Sequence, residues 1–567
     1  MARLGQADAG HDATDSAVAP GRSSGLWHAL TRRLPGSLNG VRGATQRRPH
    51  AEQAAIATVV LGAVAAVVFL PHILHGGFYY DDWQDQAQAH YGGFEGSFNF
   101  ILSLSNRRPV GAAYIAAEFT LFGSHEHLYH LLGAIQWLAV ALLVRAVLRR
   151  LGTAPAPALA VAVLVLAFPW VDSVWLPATG GQVSFSVLAL LSGVLLNLRA
   201  FAASGRTHVL LRIVGILCLV AGVLDYELVL PASLVAGATY FAVAPRRAAL
   251  RGWAIDVVVV VAFALVFTAR ALHLLPGTDT HNVLSASQQL DHARLIVHQA
   301  KALATASLVP FGSPRNDAVL GSALLLAVLV SALAVRSGPG PLRSRVRTGL
   351  LLGAAGVVIV ALGYIMLIPA DPYYVPLQLG VGNRINGLAA IGYAMVVGGV
   401  ATLAGALVVV VRPRWGAVAT ALTAALCAIV AVGYLHRVSN DRSAWRTATQ
   451  EQAVALRDLR AAVPSLAPGT SIVTVGIEQY SAPGVPVFAA TWDLSGAAEL
   501  MYGLASVPAY PSMGGTDLTC AGNAIVAPSA GWSAHYRSAL LVDLPQRRAI
   551  SLTSQKVCAR ALAQAGA

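Results

Sequence analysis

Residues 54–74 read AAIATVVLGAVAAVVFLPHIL, a run without a single Asp, Glu, Lys or Arg. A helix needs about 20 such residues to cross a hydrocarbon core roughly 30 Å thick. The run has company. The chain of 567 residues is 56% hydrophobic and only 11% charged, where a soluble domain carries about 25%, and its mean hydropathy is +0.62. Apolar runs recur near 126–148, 155–171, 182–198, 208–224, 228–244, 253–275, 317–335, 349–369, 386–411 and 416–434. The sequence predicts a polytopic α-helical membrane protein with about eleven transmembrane helices.

Arginine position tests that layout. Alternate connections carry Arg149 and Arg150; Arg199, Arg206 and Arg212; Arg246, Arg247 and Arg251; Arg336, Arg343, Arg345 and Arg347; Arg412 and Arg414. The N-terminal segment adds Arg32, Arg33, Arg47 and Arg48 on the same side. Lys and Arg in short loops mark the cytoplasmic face. The expectation is a multi-pass cell-membrane protein with a cytoplasmic N-terminus and an extracytoplasmic C-terminal domain. The net charge of +13 therefore reports topology. Without an aromatic-interleaved basic stripe, it does not indicate nucleic acid.

Three regions follow. Residues 1–52, rich in Gly, Ser, Arg and Ala, read as a disordered cytoplasmic tail. Residues 53–434 form the transmembrane domain, with an acidic first outer loop at 75–125. The stretch PVGAAYIAAEFTLFG (109–123) is short and holds Glu118, so it reads as a helix in the outer interface, as do 84–104. Another outer loop, 276–316, contains the amphipathic stretch LDHARLIVHQAKALATASLV. Residues 435–567 read as a small α/β or mostly β domain: DRSAWRTATQEQAVALRDLRAAVP gives a helix ending at Pro464, and runs such as SIVTVGI, VPVFAATW, NAIVAP and ALLVDL give short strands. Cys520 and Cys558 both fall there, and an oxidising compartment permits a disulfide between them. Cys218 and Cys427 lie inside spans and read as packing residues.

Where the first apolar run ends, the chain continues HGGFYYDDWQDQAQAHYGG (75–93), with Asp81, Asp82 and Asp85. One reading is a solvated acidic loop at a helix N-terminus, where carboxylates suit the dipole. The wider order of motifs offers another. An acidic pair at the outer end of the first span precedes Arg107, Arg108 and Pro109, then an interfacial helix ending in LFG, then a span ending in RRLG. This arrangement resembles the GT-C glycosyltransferases that use polyprenyl-phosphate sugars, relatives of the protein O-mannosyltransferases and the lipid A aminoarabinose transferase. The resemblance is best over 53–245 and barely reaches the C-terminal domain.

The resemblance implies a catalytic carboxylate in the first outer loop. That suggests Asp81 or Asp82 as the general base taking the proton of an acceptor hydroxyl. Asp81 is preferred, with Asp82 orienting the acceptor or holding a metal; the order is reversible. The phosphate of the departing carrier calls for arginines, whose fork matches it. Candidates are Arg107, Arg108 and Arg384, the last in YYVPLQLGVGNRIN on a face poor in cations. Asp172 in FPWVDSVWLPATGGQ, Asp225 and Glu227 sit at short outer turns and, with Trp83, are candidates for the acceptor side or for support behind it. His125, His127 and His130 in SHEHLYH match no zinc signature. Tyr373, Tyr374 and Trp175 suit an aromatic belt better than a sugar platform.

No cofactor is demanded, although two adjacent carboxylates are compatible with a hard divalent cation, Mg or Mn. The expected partners are a polyprenyl-phosphate-linked sugar donor, an extracytoplasmic glycan, lipid or protein acceptor, and membrane lipid, with no nucleic acid. Inversion at the anomeric carbon is what the resemblance implies. The rivals are a flippase for lipid-linked saccharides, which would keep its ionisable groups nearer mid-membrane, and a non-catalytic envelope scaffold.

Overall fold

A computed structural model describes residues 47–104, 108–274, 285–310, 342–370, 374–513 and 517–565. Met1–Ala55 and Ile56–Ala567 are separate compact units; the first is described only over the start of one helix. The helices are α1 (Arg47–His75), α2 (Asp81–Leu104), α3 (Pro109–Phe122), α4 (Glu126–Arg150), α5 (Pro155–Leu166), α6 (Gly181–Ala200), α7 (Gly205–Asp225), α8 (Leu230–Val235), α9 (Arg246–Leu274), α10 (Ala286–Leu308), α11 (Leu342–Tyr364), α12 (Gly387–Val411) and α13 (Gly416–Ala462), followed in the C-terminal region by α14 (Thr491–Tyr502) and α15 (Gln555–Gln564).

Among the described residues, eight helical segments are long and apolar enough to cross a membrane. The chain is a polytopic helical membrane protein. Two of the expected spans are shorter than that. Pro155–Leu166 has only 12 residues, and Glu227–Ala242 is divided between 3-10 turns and a single short helix. The expected span at 317–335 lies outside the described residues. Leu61, Val140, Val165 and Val187 are among the fully buried side chains of the bundle. Helices α11 and α12 meet at Gly356 and Gly392, where a Cβ on either would stand 2.6 or 2.5 Å from the other's carbonyl oxygen. Small residues let membrane helices approach this closely.

Helix α3 keeps Glu118 turned inward at 4% exposure. Helix α2 is broken at Gly93, whose φ of 61° is outside the helical range. The PWVDSVWLPATGG segment (169–181), expected as a short turn at the surface, is buried throughout. Phe168 at its start stacks on Tyr393 of α12 at 5.8 Å and meets Tyr434 of α13 edge-on at 5.6 Å. Arg212, counted as a loop marker of topology, sits within α7 and bonds Asp256 of α9 at 2.6 Å; Tyr240 donates to the same carboxylate at 2.5 Å.

Helix α13 runs for 47 residues without a break, about 70 Å at 1.5 Å per residue. The last apolar span and the following polar helix are therefore one rod, which passes through the boundary expected at 434/435. Beyond it, β1 (Ser471–Val475) pairs in parallel with β4 (Ala509–Ser512) and β8 (Ala539–Asp543), and β9 (Arg548–Ser551) adds antiparallel to β8. The order is β4-β1-β8-β9, and α14 lies in the crossover between β1 and β4. A hairpin, β2 (Tyr480–Ala482) with β3 (Val485–Pro486), and a meander of β5 (Thr519–Ala521), β6 (Ala524–Ala527) and β7 (Trp532–His535) complete the region. Cys520 and Cys558 are disulfide-bonded, with Cα atoms 6.0 Å apart, which ties β5 to α15.

Candidate functional site

The two adjacent carboxylates part company at Tyr80. That residue takes φ of 56°, a left-handed conformation that costs a bulky side chain energy and recurs at functional sites. Helix α2 starts immediately after it, and the turn sends Asp81 outward and Asp82 inward. Asp82 is 0% exposed. Its Oδ1 accepts from the Thr179 amide and hydroxyl, both at 2.8 Å, and its Oδ2 from the amides of Tyr79 and Ala178, both at 3.0 Å. Burial raises its carboxyl to about 6, against the pull of those donors. These four protein donors pin the 176–180 turn to the start of α2.

Asp81 is one third exposed and faces two elements that the sequence keeps far away. Trp492 at the start of α14 donates from Nε1 to Oδ1 at 3.0 Å. Arg384 brings Nη1 to 3.6 Å from Oδ2. A narrow cleft of about 10 Å³ beside this carboxylate is lined by Tyr80, Asp81, Ser173, Thr179, Val381 and Arg384. Arg384 rides on the 3-10 turn Val381–Asn386, and that turn is held from several sides. Asn386 donates to the carbonyls of Trp170 at 2.7 Å and Leu377 at 2.8 Å and accepts from Tyr364 at 2.8 Å. The Val381 amide donates to the Gly484 carbonyl at 2.8 Å, in the turn between β2 and β3.

A second cation stands nearby. Arg108 grips Glu227 through Nε and Nη2 at 2.6 and 2.7 Å, and its guanidinium lies 4.1 Å from the centre of the Tyr226 ring. Tyr374 connects the two arginines electrostatically: burial raises its phenol, and Arg384 and Arg108 both act to lower it. Asp81, Arg384 and Arg108 thus all act on Tyr374, with Glu227 paired to Arg108, as one rim. Arg107 and Tyr373 lie outside the described residues.

The other candidates are placed elsewhere. Asp172 is 1% exposed; it accepts from Asn383 Nδ2 and, at 2.5 Å, from Trp445 Nε1. It clamps the buried segment between the Arg384 turn and α13, so it does not open onto an acceptor. Asp225 is buried, with neither carboxylate oxygen bonded among the described residues, beneath the Arg108–Glu227 pair. Trp83 lies between Phe78 and Phe488 and lines a different cleft of about 540 Å³ with Gln86, His90, His125 and Glu126. The three imidazoles of SHEHLYH do not gather at one point: the His125 and His127 rings meet edge-on at 6.0 Å, whereas His130 is buried against Gly76.

Among the described residues no group of three or more His, Cys, Asp or Glu side chains is arranged to hold a metal. Both oxygens of Asp82 already accept from protein donors, and Asp81 stands beside a guanidinium.

Sequence reasoning missed Trp492, Asn383 and Trp445. Each acts across hundreds of residues, and nothing local marks Asn383 or Trp445. For Trp492 the available signal was an aromatic next to a carboxylate, TWD, at the start of a helix. Asp493 closes that first turn: its carboxylate accepts from the amides of Ala489 at 2.7 Å and Leu494 at 2.6 Å.

No protein-family model and no curated protein matches the chain. Several solved structures are similar to it, three of them as follows. One is the archaeal oligosaccharyltransferase AglB from Archaeoglobus fulgidus, in complex with an inhibitory peptide and a dolichol-phosphate, at 12% identity and TM-score 0.37 over 82% of this chain. This chain spans 65% of the length of AglB. The others are ArnT from Cupriavidus metallidurans in the apo state, at 13% identity and TM-score 0.35, and bound to undecaprenyl phosphate, at 14% and 0.34. Each comparison with ArnT covers 80% of this chain and 89% of the other.

Proposed function

We propose that this protein is a membrane glycosyltransferase that moves a sugar from a polyprenyl-phosphate carrier to a hydroxyl of an extracytoplasmic acceptor. The observation that carries the reading is the Asp81–Arg384 pair: a solvent-reaching carboxylate and a guanidinium 3.6 Å apart in one cleft. Glycosyl transfer from a phosphate needs both. Asp81 takes the proton of the acceptor hydroxyl as its oxygen attacks the anomeric carbon. The bond from that carbon to the carrier oxygen breaks, and the electron pair leaves with the polyprenyl phosphate. The added negative charge develops beside Arg384, with Arg108 as a second cation on the same rim; fixed charges of this kind stabilise a transition state without reorganising. A single displacement inverts the anomeric centre.

The reading sets Asp81 and the C-terminal region on the extracytoplasmic side, where the acceptor is found. The test is transfer by purified protein in nanodiscs, using a panel of radiolabelled polyprenyl-phosphate pentoses and hexoses. Wild type transfers one of them, and Asp81→Asn lowers the rate by about 10²–10⁴, the contribution of a general base. Undiminished transfer by Asp81→Asn removes Asp81 as the base.

A further inference from the structure

A carboxylate that works as a base must present one lone pair to the acceptor, yet the last torsion of an aspartate is broad and two-fold. Asp81 sits at the first turn of α2, one third exposed, and its hydrogen bond and ion pair among the described residues both reach outside its own helix. Two outside groups restrain that torsion. Arg384 stands at Oδ2, and Trp492 donates an indole N–H to Oδ1 at 3.0 Å.

The second restraint comes from the C-terminal region, and the molecule holds it firmly. The Trp492 ring meets Tyr80 edge-on at 5.2 Å, so the indole is braced by the strained residue that precedes Asp81. One turn further along α14, Gly496 lies so near α2 that a Cβ there would fall 2.4 Å from the Trp83 carbonyl oxygen. Glycine at this position lets the two helices touch. Asp493, 0% exposed, fixes the start of the helix from which the indole projects.

We propose that Trp492 is a positioning residue for Asp81: its N–H fixes the carboxylate plane, so the C-terminal region completes the reaction centre. The role in turnover rests on the reading of Asp81 as the base. Helix α14 is the connecting part, since its seating on α2 and the hydrogen bond form together. A hydrogen bond to a charged group contributes a factor of about ten to a hundred. Both partners here are partly open to water, which sets the expected effect at the lower end.

The experiment has two arms. In the first, the whole protein is labelled with 5-fluorotryptophan and its 19F spectrum recorded; Trp492→Phe identifies the resonance of Trp492 among those of the ten tryptophans. Asp81→Ala is expected to move that resonance and leave those of tryptophans remote from α2 in place, which also verifies the fold. In the second arm, Trp492→Phe keeps the ring and loses the donor, and Trp492→His restores an N–H at the corresponding place of a five-membered ring. Phe lowers kcat about tenfold with KM for the lipid donor within about twofold, and His recovers most of the loss. An unmoved resonance, wild-type kcat in Trp492→Phe, or His no better than Phe overturns the proposal. If wild type transfers none of the sugars, the enzymatic reading fails by itself; the fluorine shift then decides whether Trp492 holds Asp81, and its absence removes the pair.

Discussion

Trp445 and Asp172, 273 positions apart, are joined by an indole N–H that donates to a buried carboxylate oxygen at 2.5 Å. The bond fastens the long rod α13 to the segment behind the Arg384 turn. Asn383 takes the other oxygen of Asp172, and its own Oδ1 accepts from the Ser173 amide at 3.2 Å and hydroxyl at 2.5 Å. Because Ser173 and Arg384 line the same cleft as Asp81, this clamp sets the distance between the carboxylate and the guanidinium without touching a substrate.

Trp445→Phe tests the clamp. It leaves a buried carboxylate oxygen without its donor, which costs about 2–3 kcal/mol. The expected result is a lower thermal midpoint in detergent, read by intrinsic fluorescence, with the protein still monodisperse on size exclusion. An unchanged midpoint contradicts the clamp.

The fold was largely legible because bilayer physics writes itself in long apolar runs, and Asp81 was legible because it stands where the first run ends. Arg384 drew attention through the scarcity of cations on its face. What could not be read was the parting of Asp81 from Asp82, which depends on one left-handed residue, Tyr80. Nor could a linear pattern show that Asp172 and Asp225 turn inward, since burial of a span-end carboxylate is decided by what packs over it. The continuity of α13 was hidden by a change in composition at 435, which alters what surrounds a helix and does not end it.

The two adjacent carboxylates should separate cleanly by mutation. Asp82→Asn sets a side-chain NH2 against donors that now meet oxygen, and is expected to destabilise the protein by about 2–3 kcal/mol. Asp81→Asn, at a partly exposed site, is expected to leave stability within about 0.5 kcal/mol and to lower the rate of transfer by about 10²–10⁴. Thermal midpoints beside rates separate the two; equal loss of stability in both contradicts the division of roles.

Asp82 also gives a pH signature. Burial holds its carboxyl at about 6, above the usual value near 4. The folded protein therefore binds this proton more tightly than the unfolded chain. The contribution is fully present below about pH 4 and is lost as pH rises through about 6, amounting to about 3 kcal/mol. Asp85 and Asp493 are shifted upward too, chiefly by burial, so the difference between wild type and Asp82→Asn is the quantity to plot. It should change between pH 4 and 6 and flatten above.

The Arg108–Glu227 pair is bidentate but partly open to solvent, with side chains 25% and 37% exposed. Screening limits such a pair to about 1 kcal/mol in stability, so a double-mutant cycle of Arg108→Gln and Glu227→Gln should return a coupling of that size. Its effect on transfer is expected to be larger, because in the proposed mechanism Arg108, held by Glu227, meets the leaving phosphate. A rate unaffected by Arg108→Gln would leave Arg384 as the phosphate partner and Arg108 as a structural contact.

Orientation can be tested without any substrate. Glu95 is exposed on α2, beyond the break at Gly93, and Arg150 is exposed at the far end of α4. Arginine-rich connections belong on the cytoplasmic face, so a cysteine at 150 should react with a membrane-impermeant maleimide only after permeabilisation. A cysteine at 95 should react on intact cells. Of the native cysteines, Cys520 and Cys558 are disulfide-bonded and Cys427 is buried, so background labelling falls to Cys218, within α7, and a Cys218→Ala parent removes it. Reaction at 95 only after permeabilisation would put Asp81 on the cytoplasmic side, where an extracytoplasmic acceptor cannot reach it, and the proposed transfer would have no site.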